Sequence, residues 1–124
     1  MAIVGSCARL LVLICLIGEF AAAAWGQSYP SKAVRFLIPG SPGSGADTLG
    51  RIVADGLAPV FGRQVIVDNR AGAASNIGTE IAAKAPSDGY TLLLVNIAHA
   101  ANASLYSKLA YDLIRDFAAV TQLA

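Results

Sequence analysis

Residues 34–47 read Val34-Arg-Phe-Leu-Ile-Pro-Gly-Ser-Pro-Gly-Ser-Gly-Ala-Asp47, an apolar run, then a loop of small residues, then an acid. The run Val34–Ile38 is almost continuously apolar, as in a strand buried on both faces of a parallel sheet. Beyond the loop, Leu49, Ile52, Val53, Leu57 and Val60 recur at helical spacing, with Arg51 and Asp55 on the other face. Asp47 stands where a side-chain oxygen caps the free N–H groups of a first helical turn. Pro59 and Gly62 are expected to close that helix.

Outward from this unit the pattern repeats. Val65–Asp68, Thr91–Val95 and Ala119–Leu123 are three more β-rich segments at near-even intervals. Between the second and third strands, Ile77, Ile81, Ala82 and Ala85 form another apolar stripe. Pro86 stops it and Ser87-Asp-Gly89 turns into strand three. Strand, helix, strand, helix, strand is the pattern of right-handed βαβ units, so the fold class is α/β, a parallel sheet with flanking helices. There are no internal repeats and no linker marking a second domain.

The chain has 124 residues, 56% of them hydrophobic and 14% charged. Much of the apolar excess lies in the first two dozen positions. Net charge is +1 with Lys and Arg scattered, which argues against a nucleic-acid partner and against a basic membrane-surface helix. Arg9, the run Leu10–Ile17, the break at Gly18 and the small residues Ala21–Ala24 compose a secretory signal, cleavable after Ala24 or after Gly26. The expected division is therefore a signal peptide over 1–26 and a partial binding domain over 27–124, exported to the periplasm. The apolar run is too short to cross about 30 Å of hydrocarbon and Glu19 ends it, so no permanent membrane span is expected. Cys7 and Cys15 both fall in this segment, leaving the mature chain no disulfide, thiolate nucleophile or cysteine metal site. Ile14 before Cys15, in mid-run, argues against a lipoprotein anchor.

In an open parallel sheet, ligands sit at the carboxyl ends of the strands. Here those ends carry Pro39–Asp47, then Asn69-Arg-Ala-Gly-Ala-Ala-Ser-Asn-Ile-Gly78, then Asn96-Ile-Ala-His-Ala-Ala-Asn102. The first two are rich in Gly, Ala and Ser and feed helix N-termini. Small side chains admit a ligand to backbone N–H groups, and the helix dipole adds positive potential without any Lys or Arg. Either loop alone reads as a tight turn. Two side by side point to a carboxylate or phosphate held by backbone and hydroxyl donors.

These residues resemble a known family. Tyr29-Pro-Ser-Lys32, the Pro39–Asp47 loop, Asp68-Asn-Arg-Ala-Gly-Ala73, Asn76-Ile-Gly-Thr-Glu80 and Lys84-Ala-Pro-Ser-Asp-Gly-Tyr-Thr-Leu-Leu93 are similar to the solute-binding receptors of tripartite tricarboxylate transporters, the Bug or TctC-like family. Ala98 through Tyr106 and Tyr111 through Ala124 continue the likeness. The resemblance implies a two-lobed, periplasmic-binding-protein-like (Venus flytrap) receptor. Such a receptor captures a small organic anion, a carboxylate or related metabolite, for a membrane permease, with no catalytic activity and no cofactor. It further implies that the ligand carboxylate is gripped by three loops. In the first these are Ser41, Pro42, Gly43, Ser44, Gly45 and Asp47. In the second they are Gly72, Ala73, Ala74, Ser75 and Asn76, and in the third Asn96, Ala98 and His99. The chain departs from the pattern at Gly40, where the family has a bulky residue, and at Ala71, where it has Pro. Ser44, Ala74 and Ser75 stand near positions where it has glycine. Family members are much longer, so a truncated first lobe is expected.

Single residues carry plainer readings as well. Asp47 is an N-cap or an anchor of the first loop, and direct contact with an anionic ligand is disfavoured by charge. Arg70, just past a strand end, reads as solvated or as a carboxylate partner. Asn76 reads as a helix cap. His99 has no Asp, Glu or His companions at metal-ligand spacing, and its place after strand three suggests a donor in the cleft. The rival reading is a dinucleotide-binding fold, with Gly43-Ser-Gly45 after strand one and Asp68 as the ribose acid. Against it, the third small position falls on Thr48 and the loop carries Pro39 and Pro42. A serine hydrolase fails because Pro42 replaces the first glycine of the frame around Ser44. A non-binding remnant of a receptor is the third alternative.

Overall fold

A computed structural model describes residues 28–123. The signal expected over 1–26 lies outside the described residues. Strand β1 (Val34–Ile38) is flanked by β2 (Val65–Asn69) and β3 (Thr91–Leu93), all parallel, in the order β2-β1-β3. Val34 pairs with Val65 and Ile38 with Asn69 on one side, and Arg35 with Thr91 and Leu37 with Leu93 on the other. β1 is the buried centre: Val34, Leu37 and Ile38 are fully enclosed, which accounts for its unbroken apolar run.

Helix α1 (Gly45–Phe61) joins β1 to β2, and helix α2 (Asn76–Ala83) joins β2 to β3. The two crossovers run in opposite directions across β1. Right-handed connections of opposite direction put their helices on opposite faces of the sheet. α1 covers the face bearing Phe36 and Ile38, where Ala54 and Leu94 complete a core edged by Ala46, Val53, Val65, Val67 and Leu92. Helix α3 (Ile97–Leu105) follows β3.

The elements depart from the sequence expectations in phase and extent. The residues of α1 that are buried are Asp47, Gly50 and Ala54, whereas Ile52 and Val60 of the expected stripe are exposed. A Cβ on Gly50 would lie 2.5 Å from Ile38 Cδ1, so the helix docks through its smallest residues, close to the sheet. Pro59 sits inside α1 without ending it. The stop is Gly62, whose left-handed backbone (φ 60°) is the usual helix terminator. In α2, Gly78 and Thr79 are the buried residues, while of the expected stripe Ile77 is half exposed and Ile81, Ala82 and Ala85 are only partly buried. That helix ends at Ala83, before Pro86 is reached.

β3 is shorter than the expected Thr91–Val95, although Leu94 N–H still donates to Leu37 O at 3.0 Å. The chain then leaves the sheet to start α3. Ala119–Leu123 is not a strand: residues 117–123 carry no regular structure, and Val120 stays exposed. No strand among the described residues pairs with it, and a strand without a neighbour leaves its N–H and C=O groups to water. No helix among the described residues is long and apolar enough to cross a membrane.

Candidate functional site

The chain leaves β1 toward β2, while β3 lies on the other flank. The strand order therefore reverses between β1 and β3, and the crevice outside their carboxyl ends is where ligands of open α/β sheets bind. All three small-residue loops meet at this end.

In the first loop Ser44, in extended backbone (φ −73°, ψ 165°), is the N-cap of α1 and accepts from Asp47 N at 3.3 Å. Asp47 is thus the third helical residue and not the cap. Its Oδ2 accepts from Gly43 N at 2.8 Å and from Arg51 Nε at 3.1 Å. These bonds, Arg51 first and then Gly43, outweigh burial and hold the Asp47 carboxyl down to about 2. Asp47 is therefore ionised and already neutralised by Arg51, one turn along the helix. It ties the loop down, as the anchor reading expects. Gly43 takes a positive φ (79°), and Ser41 and Pro42 are exposed. Asn69 closes the loop from β2, donating to Gly40 O at 3.3 Å and accepting from Arg51 Nη2 at 3.3 Å.

The second loop is under backbone strain. After Gly72 (φ 129°), Ala73, Ala74 and Ser75 form a single 3-10 turn with φ of 47°, 52° and 77°. Left-handed backbone costs an L-residue about 1–2 kcal/mol per position. Such a turn persists only if its surroundings impose it. Several contacts do so. Ser75, buried, donates to Pro39 O at 2.9 Å, and Thr79 Oγ1 donates to Ser75 O at 2.8 Å. Asn102 Nδ2 donates to Ala74 O at 2.7 Å. α2 then begins with no side-chain cap from Ser75. Asn76 does not cap it either: its Oδ1 accepts from Asn102 Nδ2 at 2.8 Å and from Tyr111 OH at 2.6 Å.

In the third loop Asn96 caps α3, its Oδ1 accepting from Ala98 N at 3.0 Å while Asn96 N donates to His99 Nδ1 at 3.1 Å. With Nδ1 accepting, the ring proton is on Nε2, which donates to Thr79 Oγ1 at 2.9 Å, and Thr79 passes its own proton to Ser75 O. Every donor then has an acceptor. His99 is fully enclosed (0% exposed). The cleft-donor expectation is corrected on this point: both ring nitrogens are occupied internally, and burial lowers the imidazole pKa, with Asn96 opposing. His99 braces the second loop against the third.

Comparison with known proteins matches residues 49–124 to the tripartite tricarboxylate transporter family receptor. The chain belongs to that receptor family. The receptor chain is 44% identical over 94 residues to a protein in the TAR-I ttuE-ttuC' intergenic region of Agrobacterium vitis, covering 76% of this chain and 27% of that one. It is similar to the solved structure of a periplasmic transporter (36% identity, TM-score 0.66, 70% of this chain and 30% of that one). It is also similar to an R. palustris protein solved with adipate (34% identity, TM-score 0.53, 54% of this chain and 22% of that one). The chain spans about three tenths of the length of the curated relatives it matches.

Within the receptor fold, Ser41 through Asp47, Gly72 through Asn76, and Asn96 and Ala98 come together at one end of the sheet. Arg70 is half exposed and engaged with Asp68 Oδ1 at 2.9 Å, while Arg35 Nε donates to Asp68 Oδ2 at 2.8 Å. Burial opposes ionisation of Asp68, but the two arginines overcome it and hold the carboxyl below its usual range. Both oxygens of the acid that the dinucleotide reading assigns to a ribose are therefore occupied. The supporting residues Arg51, Asn69, Thr79, Asn102 and Tyr111 had no role in the sequence reading. Only Asp47 and Arg51, four apart on one helix, carried a local signal of pairing.

Proposed function

We propose that this chain supplies the anion-gripping part of a periplasmic receptor that captures a small organic carboxylate for a tripartite tricarboxylate-type permease. The observation that carries this reading is that the left-handed turn 73–75 is tied to the start of the first loop, Ser75 Oγ to Pro39 O at 2.9 Å, at the strand-order reversal, where Arg51 and Arg70 are both engaged by carboxylates of the chain. The N–H groups of Gly45 and Ala46 have no acceptor within the helix. Tight turns like the second loop gather successive N–H groups into a concavity that accepts anions. Ser41, Ser44 and Asn96 add polar atoms at the rim. Arg51 cancels the charge of Asp47, so that carboxylate does not repel an anion. Family membership supports the role of receptor, and the relative solved with adipate supports a carboxylate ligand. Export by the segment 1–26 follows from the same reading.

Isothermal calorimetry of the purified chain with adipate, shorter dicarboxylates and inorganic phosphate tests it. Saturable heat with at least one carboxylate is the expected result. No heat with any of them sinks the proposal for this chain, and heat with a nicotinamide dinucleotide instead would favour the rival fold reading.

A further inference from the structure

The second loop owes its shape to residues far from it in sequence. Asn102, on α3, is almost fully buried and spends its amide on two acceptors, Ala74 O at 2.7 Å and Asn76 Oδ1 at 2.8 Å. Tyr111, on the segment after α3 and also buried, donates its hydroxyl to that same Asn76 Oδ1 at 2.6 Å. The Tyr111 bond fixes which way the Asn76 amide points. That choice presents Oδ1 to Asn102, which leaves the second Asn102 proton for Ala74 O. A chain of bonds, Tyr111 to Asn76, and Asn102 to Asn76 and Ala74, thus reaches the middle residue of three consecutive left-handed positions.

We propose that Asn102 and Tyr111 are positioning residues that hold the turn 73–75 in its anion-gripping shape; this rests on the functional reading of that loop. The physical case is the strain. Alanine and serine do not settle into left-handed backbone unaided. Ala73 and Ala74 are exposed and gain no packing there. The Ser75 and Thr79 bonds anchor the end of the turn nearest α2, and among the described residues the side chain that holds its centre is Asn102. Without that bond the turn relaxes and its N–H groups diverge. The alanine and serine in this chain make the external clamp necessary.

Hydrogen exchange of the purified full chain, read by peptide with mass spectrometry, tests the proposal. Tyr111→Phe removes one hydroxyl and keeps the ring, and Asn102→Asp keeps the volume and removes the amide donor. Either change is expected to speed exchange at residues 72–78 by about tenfold, while residues 34–38 keep their rate. The double variant should add little to the Asn102→Asp effect, since Tyr111 reaches the turn only by way of Asn76 and Asn102. Uniform acceleration along the chain, or no change at 72–78, overturns the proposal. If Asn102→Asp does not fold, Tyr111→Phe decides by the same local criterion. Adipate titration separates the two readings. A loosened turn in a chain whose unaltered form binds no carboxylate removes the ligand reading and leaves the clamp standing.

Discussion

Gly78→Ala and Gly56→Ala are the same substitution in two helices, and the structure gives them opposite signs. A Cβ on Gly78 would lie 2.8 Å from Arg70 O and 2.8 Å from Pro39 Cβ, with Pro39 Cα at 3.0 Å. Comfortable contact between carbon atoms is about 3.5–4.0 Å, so α2 must withdraw by roughly 0.7–1 Å. The obstacles are backbone and a proline ring, which do not rotate aside. Overpacking of this kind costs about 1–3 kcal/mol, and the helix preference for alanine returns about 1 kcal/mol. Gly78→Ala is therefore expected to destabilise by up to about 2 kcal/mol. The withdrawal also stretches the Ser75–Pro39 bond, now 2.9 Å, that joins the first two loops. Gly56 in α1 has nothing within 4 Å of its virtual Cβ, so Gly56→Ala should gain up to about 1 kcal/mol. Urea unfolding followed by circular dichroism measures both, with the slope held constant as the check on a common denatured state. The thermal midpoint of Gly56→Ala should lie above that of Gly78→Ala by roughly 4–8 °C for each kcal/mol that separates them, up to about 3 kcal/mol. Two alanines that stabilise alike would mean that α2 does not approach Pro39 and Arg70 as described.

Four further outcomes are expected. His99 is buried neutral with a lowered pKa, so the native state binds fewer protons than the unfolded one below about pH 6.5. Its stabilisation is complete above that pH and is lost as pH falls toward the lowered value, a slope that His99→Gln should remove from midpoints measured between pH 7.5 and 5. Ala73→Gly and Ala74→Gly relieve left-handed strain and should each raise stability by about 0.5–1 kcal/mol after the entropy of the freer unfolded chain is subtracted; loss of stability in urea melts would contradict the strain. In carboxylate titrations Gly43→Val, at φ 79°, should weaken binding by more than about tenfold, or 1.4 kcal/mol, and Arg70→Ala, engaged with Asp68, by less; the reverse order would move the chemistry to Arg70. Mass spectrometry of the product exported in a Gram-negative host should find the mature N-terminus between Trp25 and Ser28, and an intact Met1 on a membrane-bound product would refute cleavage.

The strand-and-loop alternation was legible in the sequence because backbone periodicity is local. Val34–Ile38 and Val65–Asp68 announce parallel strands by composition alone, although only β1 is buried and edge strand β2 leaves Ile66 exposed, and the loops of Gly, Ala and Ser stand out between them. What the sequence left open was decided by docking. Helix phase is not legible where the contact residues are Gly50, Ala54, Gly78 and Thr79, because close approach selects the smallest side chains and an apolar count passes over them. Ala119–Leu123 has strand-like composition, but pairing needs a neighbouring edge, a property of the assembled sheet. His99 looked available because its place after β3 was visible, while Thr79, twenty residues earlier, became its partner only when α2 packed beside α3. The site itself divides the same way. Its loops could be located from strand ends, whereas the bonds that shape them join residues 26 to 36 positions apart. Those partners were set by where the helices came to rest, since hydrogen bonds at that separation leave no periodic trace in the chain.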